Sequence, residues 1–328
     1  MGFAEIIGHS KQLRTLRAGL SNQRLHHAYL FLGPDGVGKR TIAGALAQAI
    51  HCSEQNGDYC GRCVNCASII DRNHADVRFI GPLPDKKEIS IQQIRELERD
   101  LRYRSFGGKR KIAIIDPVVS MNVAAQNALL KTLEEPPANS LLILIAPNAG
   151  GLLPTVRSRC LRLSFAPLPR ADVAAFLQSQ HLVKVGDAEF LAAMALGSIG
   201  AALSLDQEAL IERRKRWSGV LGGLKSGDYQ AALVAAETLG ASRDDTLEFL
   251  KWAESWYRDL LIYNAMSTAD ELVNLDMLAQ IEERSAECSP VRALAAMAGI
   301  SEAGAGIQRN LNRRMVLEKF LFGVIGGR

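Results

Sequence analysis

A glycine-rich loop between a strand-like run and a helical pattern constrains the fold of this chain more than any other feature. The loop reads GPDGVGK at residues 33–39 and follows the apolar run at residues 28–32. In this pattern the glycines let the backbone curl so that its N–H groups surround phosphate, and the lysine reaches the terminal phosphates. The amino end of the following helix also favours anions. The candidate phosphate-binding residues are therefore Gly33, Gly36, Gly38 and Lys39.

The loop departs from the complete motif directly after the lysine. A serine or threonine normally stands there because its hydroxyl helps to hold Mg²⁺, but this chain has Arg40. Thr41 follows, yet one step along a helix turns a side chain by about 100°, so its hydroxyl points elsewhere. We therefore expect Mg²⁺ not to bind in the ordinary way, and the sequence leaves ATP binding open. Arg40, Thr41 and Asp116 complete the candidate nucleotide site, which is expected to be vestigial.

A second motif shows a parallel loss. The apolar run at residues 112–115 ends in Asp116, which stands where a magnesium-associated aspartate is expected. An active ATPase of this class needs a glutamate next, to orient the attacking water, whereas this chain has Pro117. Two defects in two motifs predict a site that does not hydrolyse ATP.

The order of strand-like and helical patterns predicts the fold class. Apolar runs at residues 28–32, 112–115 and 141–145 alternate with helical spacings, which is typical of an α/β fold with a parallel sheet and helices on both faces. After Phe165 no strand pattern is convincing, and Pro167 and Pro169 mark a linker. We predict three domains: an α/β phosphate-loop domain at 1–166, a small helical domain at 167–207, and an all-helical domain at 208–328 with helices at 244–263 and 309–322.

Four of the six cysteines are clustered within fifteen residues, and they are Cys52, Cys60, Cys63 and Cys66. Four thiolates at this spacing are typical of a structural zinc site with no open coordination position. A redox dithiol is the alternative, because each Cys-x₂-Cys step can in principle form one. Cys160 and Cys288 stand alone and are not candidate ligands.

Charge and hydropathy set weaker limits. The net charge of +4 neither demonstrates nor excludes nucleic-acid binding. No apolar run is long enough for a membrane span and no secretory pattern begins the chain, so we expect a cytoplasmic protein. Five basic residues lie within 102–111; the favoured interpretation is a solvated loop, with contact to DNA as the alternative. We expect no aromatic side chains interleaved with these basic residues of the kind that stack single-stranded bases.

Two further motifs carry a resemblance to a known family. Residues 127–137, NALLKTLEEPP, resemble the signature of the AAA+ clamp-loader subunits of bacterial DNA polymerase III, and Ser158-Arg159-Cys160 resembles their trans-acting arginine motif. The cysteine cluster stands where bacterial members carry zinc. The resemblance covers roughly residues 25–165.

The resemblance implies a specific role. The gamma and tau subunits keep an intact phosphate loop and an Asp-Glu pair, whereas the delta-prime type has lost them and keeps the arginine; Arg40 and Pro117 are similar to the delta-prime pattern. It implies an AAA+ domain, a helical lid and a C-terminal oligomerising collar. The partners implied are gamma/tau and delta in a five-subunit ring that loads the sliding clamp onto primed DNA. The resemblance also implies that the chain is not an enzyme by itself but a component of a DNA-directed DNA polymerase. Within that assembly, it implies that Arg159 enters the ATP site of a neighbouring subunit.

Two other functions remain open from the sequence. One is an active gamma/tau-type ATPase that tolerates Arg40 and Pro117. The other is a stand-alone zinc-containing module that binds DNA. Taken without its context, Arg159 reads as an ordinary surface charge, and Arg157 is a weaker candidate for the same trans role.

Overall fold

The structure, a computed structural model, describes residues 2–54, 57–180, 185–204, 206–269, 271–309 and 311–326. The chain divides into two compact units. The first comprises Met1–Leu182 with Ala195–Leu203, and the second comprises Val183–Met194 with Ser204–Arg328.

A parallel sheet forms the centre of the first unit. Its strands are β1 (Ala28–Leu32), β2 (Val77–Ile80), β3 (Lys111–Ile115), β4 (Ser140–Ala146) and β5 (Leu161–Ser164). They lie in the order β2-β3-β4-β1-β5, and each pairing is parallel. Every residue of β3 and β4 is buried. The prediction of an α/β fold with a parallel sheet is confirmed.

Helices cover both faces of this sheet. In chain order they are α1 (Ser10–Ser21), α2 (Lys39–His51), α3 (Val64–Ile70), α4 (Ile91–Arg102), α5 (Val123–Glu134) and α6 (Pro154–Arg157). The chain continues with α7 (Arg170–Ser179), α8 (Val185–Met194) and α9 (Ile199–Ser204), of which α8 belongs to the second unit. Alternate residues along a strand point to opposite faces. Tyr29 and Phe31 accordingly pack with α1, α2 and α3, whereas Leu30 packs with α4 and α5.

The second unit is helical in its described residues. It continues with α10 (Gln207–Gly223), α11 (Tyr229–Leu239), α12 (Arg243–Met266), α13 (Leu278–Glu287), α14 (Pro290–Gln308) and α15 (Arg313–Ile325). Three tryptophans stack through its core: the ring centroids of Trp217 and Trp252 are 5.7 Å apart, and those of Trp252 and Trp256 are 5.6 Å apart.

A buried polar network also holds the second unit together. The Asp259 carboxylate is fully buried and accepts hydrogen bonds from the backbone N–H of Val273 at 3.0 Å and of Asn274 at 2.7 Å. The Asn274 amide donates to the same carboxylate at 2.7 Å and accepts from Trp252 Nε1 at 3.1 Å and from Arg214 at 2.8 Å. Buried polar groups need such partners because water cannot replace them. The network therefore fixes the segment after α12 against the helical core.

Candidate functional site

The phosphate-type loop lies at the carboxyl edge of the sheet, between β1 and α2. Gly33, Gly36 and Gly38 all have positive φ angles, of 155°, 74° and 104°. At Gly33 an added Cβ would lie 2.1 Å from the carbonyl oxygen of Phe165, so the close approach of the backbone there requires glycine. The loop thus has the curled backbone that the sequence predicted.

The lysine of the loop is turned inward. Its ammonium group donates to the carbonyl oxygens of Gly33 and of Pro34, the latter at 2.6 Å, and Asp35 lies 3.6 Å away. The Lys39 side chain is only 4% exposed. Burial lowers the pKa of Lys39, while the neighbouring charges of Asp35 and Asp116 act in the opposite direction. In this arrangement Lys39 stabilises its own loop.

The outer side of the loop is held by Ser198 and the first turn of α9. The Ser198 hydroxyl donates to the carbonyl oxygen of Asp35 at 2.9 Å, and the Gly200 N–H donates to that of Gly36 at 2.9 Å. An added Cβ at Gly36 would lie 2.3 Å from Ser198 Oγ. Carbonyl groups on both sides of the loop are therefore occupied by contacts within the first unit.

Asp116 directly follows β3 and also lies at the carboxyl edge of the sheet. It forms an ion pair with Arg40, whose Nε donates to Asp116 Oδ2. Pro117 stands next in the chain, and Thr41 is exposed on α2. The structure therefore pairs Arg40, which replaces the expected hydroxyl residue, with the aspartate of the second motif, 76 positions away in the chain.

Arg159 lies at the amino edge of the sheet, where the parallel strands begin, opposite the edge that carries the phosphate-type loop. It precedes β5, whose first residue, Leu161, is level with Tyr29 at the amino end of β1. Its guanidinium pairs with Glu134 of α5 at 2.6 Å and donates to the Thr155 carbonyl oxygen at 2.9 Å. It borders an open pocket of about 490 Å³, which is also lined by His26, His27, Leu133, Glu134, Ser158, Cys160 and Leu161.

The lengths of the strands separate the two edges. At about 3.3 Å per residue, the five residues of β1 span roughly 16 Å. The phosphate-type loop follows the end of β1, and Arg159 is level with its beginning. Arg159 and the loop of the same chain are therefore parts of two separate sites. Arg157, the weaker candidate, is half-buried at the end of α6.

The four clustered cysteines converge as the spacing predicted. The sulfur atoms of Cys52, Cys60, Cys63 and Cys66 all lie within 4.8 Å of one another, and all four residues are buried. Sulfurs around a tetrahedral zinc, with bonds of about 2.3 Å, lie roughly 3.8 Å apart. The four thiols can therefore hold one metal ion. Burial raises the pKa of the Cys66 thiol to about 12, which a bound cation would counteract because it favours the thiolate.

A buried carboxylate fixes the loop between α4 and β3, and the sequence did not indicate it. Asp76 is 2% exposed and accepts hydrogen bonds from Ser105 Oγ at 2.8 Å and from the backbone N–H groups of Phe106 and Gly107 at 3.0 Å each. Burial acts to raise the pKa of Asp76, but these hydrogen bonds outweigh it, and the pKa lies below its ordinary value. Lys109 ties the end of the loop to the cysteine cluster by donating to the Cys52 carbonyl oxygen at 2.9 Å.

This loop carries exposed aromatic side chains among its basic residues. Tyr103 is 71% exposed and Phe106 is 86% exposed, while Arg102, Arg104 and Lys109 are exposed around them. The expectation that no aromatic side chains are interleaved here is therefore wrong. Arg102, Arg104 and Lys109 are solvated as predicted, but Arg110 is half-buried and Lys111 is buried in β3. The loop therefore presents two rings as well as charge.

Two protein-family models match this chain. The model described as "DNA polymerase III, delta subunit" matches residues 8–169, and that described as "DNA polymerase III, delta subunit, C terminal" matches residues 209–325. The subunit delta-prime of DNA polymerase III from Pseudomonas aeruginosa is 31% identical over 302 residues, which are 90% of this chain and 90% of that protein. The chain belongs to the delta-prime family of DNA polymerase III subunits.

Other relatives show how far this likeness extends. The delta-prime subunit of Escherichia coli K12 is 30% identical, over 82% of this chain and 79% of that protein. The tau subunit of Salmonella typhimurium is 33% identical over 74% of this chain but only 36% of its own length. This delta-prime-family chain thus spans about a third of the length of such tau relatives. Among its described helices, none is both long and apolar enough to cross a membrane.

Proposed function

We propose that this delta-prime-family chain is a non-hydrolysing clamp-loader subunit that supplies Arg159 to the ATP site of a neighbouring subunit. The observation that carries the proposal is the position of Arg159 at the sheet edge opposite the chain's own phosphate-type loop. An arginine at a subunit edge can neutralise the charge that develops on a transferred phosphoryl group. Its planar guanidinium suits contact with two phosphate oxygens at once.

The chain's own loop supports the non-hydrolysing part of the proposal. Lys39 donates to the carbonyls of its own loop, Arg40 is paired with Asp116, and Pro117 has no group that can orient water. These contacts argue against an active gamma/tau-type ATPase. The chain is then no enzyme alone but a component of a DNA polymerase.

The proposed partners follow from family membership and the delta-prime role. They are gamma/tau ATPase subunits and delta in a five-subunit ring, with the sliding clamp and primed DNA bound through the complex in the cytoplasm. The division into an AAA+ domain at 1–166, a lid at 167–207 and an oligomerising collar at 208–328 is part of the same proposal. Direct contact between residues 102–111 and DNA stays a prediction.

The metal proposed for the cysteine cluster is Zn²⁺ in a structural role. Four cysteine ligands leave no coordination position for a substrate, so the ion would support the fold and take no part in a reaction. It would join the end of α2 to the start of α3, since Cys52 follows α2 and Cys63 precedes α3. The hydrogen bond from the Cys63 N–H to Cys60 Sγ at 3.3 Å supports this reading, because bonds to a sulfur favour the thiolate.

The deciding experiment is ATP hydrolysis by the reconstituted loader, stimulated by clamp and primed DNA, with wild type, Arg159→Ala and Arg162→Ala. Arg162 is the matched control because it is an exposed arginine on β5 three positions away. Removing a trans arginine costs roughly a thousandfold at the site that it serves, so we expect a partial loss of total hydrolysis and a larger loss of clamp loading. Assembly should be unchanged, and Arg162→Ala should behave as wild type. Equal rates for Arg159→Ala and wild type would refute the trans role.

A further inference from the structure

The phosphate-type site contains a cation of its own. The Arg40 guanidinium lies against the Asp116 carboxylate, and the Asp116 side chain is only 17% exposed, whereas that of Arg40 is 51% exposed. An arginine keeps its charge under all ordinary conditions. The carboxylate that follows β3 is therefore neutralised from within the chain.

The residues present do not fit a magnesium ion. In a complete site of this kind the hydroxyl after the lysine and the aspartate after the second motif strand both serve Mg²⁺. Here a guanidinium replaces the hydroxyl, and the same guanidinium occupies the aspartate. A divalent cation would meet a fixed positive charge and would have to displace an existing charge-assisted hydrogen bond.

The lysine and the loop backbone add to this closure. Lys39 is buried and donates to two carbonyl oxygens of its own loop, so a phosphate group would have to draw it away from both. The carbonyls of Asp35 and Gly36 are bonded to Ser198 and Gly200 on the outer side. Without Mg²⁺ to offset the triphosphate charge, little remains to compensate the loss of the two Lys39 hydrogen bonds.

We propose that Arg40 is a built-in substitute for the magnesium ion and that its ion pair with Asp116 closes the site to magnesium nucleotides. The inference rests on the proposed non-hydrolysing function and assigns the loss of magnesium binding to one residue. Arg40→Ser restores the hydroxyl of the complete motif and frees Asp116. It therefore creates a magnesium-dependent nucleotide site in a chain that otherwise has none.

The test is binding of a fluorescent ATP analogue to the isolated full-length chain, in buffer with Mg²⁺ or with EDTA. The matched control is Arg78→Ser, because Arg78 pairs with Asp100 at 2.9 Å and the two side chains are 55% and 39% exposed. We expect wild type and Arg78→Ser to show no stimulation by Mg²⁺. Arg40→Ser should bind about tenfold or more tightly in Mg²⁺ than in EDTA, the usual size of one charged contact. Adding Lys39→Ala to Arg40→Ser should remove the gain.

Two outcomes would overturn the inference. One is magnesium-stimulated binding by the wild-type chain, which decides the matter even if Arg40→Ser does not fold. The other is a folded Arg40→Ser chain, with a wild-type circular-dichroism spectrum, that shows no magnesium effect. Because the assay contains no neighbouring subunit, neither outcome bears on Arg159, and a failure of the Arg159 experiment leaves this one intact.

Discussion

Removing the Asn274 side chain should destabilise the second unit far more than its size suggests. In Asn274→Ala the Trp252 N–H loses its hydrogen-bond acceptor, and the Asp259 carboxylate loses the hydrogen bond that the Asn274 amide donates. A buried donor left without a partner costs about 1–3 kcal/mol, and a lost hydrogen bond to a charged group costs about 1.5–3 kcal/mol. The Asp259 carboxylate keeps its bonds from the Val273 and Asn274 N–H groups, so the two losses together predict a decrease of about 2.5–6 kcal/mol in the free energy of unfolding. The additional contact to Arg214 at 2.8 Å places the expectation in the upper part of that range.

The assay is urea unfolding followed by tryptophan fluorescence. All three tryptophans, Trp217, Trp252 and Trp256, lie in the second unit, so the signal reports this unit by itself. The matched control is Asn264→Ala, which removes an asparagine amide on α12 of the same unit, where it donates to the Cys288 carbonyl oxygen at 3.0 Å. That variant should lose only about 1 kcal/mol. Equal losses in the two variants would refute the network argument.

Two further perturbations test the first unit. Because hydrogen bonds hold the pKa of Asp76 below its ordinary value of 3.8, its contribution to stability is present above pH 3.8 and is lost as the pH falls through the lower folded-state value. Asp76→Asn should therefore accelerate hydrogen exchange at the Phe106 and Gly107 amides at neutral pH, with the difference from wild type shrinking in acid; a pH-independent difference would contradict this. Cys66→Ser should abolish bound zinc in metal analysis of the purified chain and expose residues 52–66 to proteases, whereas Cys288→Ser should change neither; zinc retained by Cys66→Ser would exclude the four-thiolate site.

Patterns that are local in the sequence predicted much of the fold. The runs at 28–32, 112–115 and 141–145 lie within β1, β3 and β4, because strands buried on both faces need continuous apolar residues. The strand β2 was missed, since Arg78 interrupts its four residues and only Val77 is buried. The last helix begins at Arg313 instead of residue 309, because Asn312 accepts a hydrogen bond from the Met315 N–H and caps it.

Contacts between distant residues could not be predicted in the same way. The sequence identified Arg40 as a departure from the motif pattern and Asp116 as a residue that fits it, but nothing in the sequence shows that the two pair. The same holds for Arg159 with Glu134 and for Asp76 with the loop at 105–107. The sequence around Asp76 gives no indication that its carboxylate is buried, because its partners lie far away in the chain. The aromatic rings at 103 and 106 were readable in the sequence, and their exposure is what the structure adds.

The sheet edges bear on how such a chain can change over generations. Effects of substitutions more than about 7–10 Å apart usually add without influencing each other, and the strands hold the phosphate-type loop and Arg159 roughly 16 Å apart. A lineage can therefore accumulate substitutions such as Arg40 and Pro117 at one edge while selection still acts on the other. A duplicated subunit can lose one inherited task and keep the second, with no need to rebuild the scaffold that carries both.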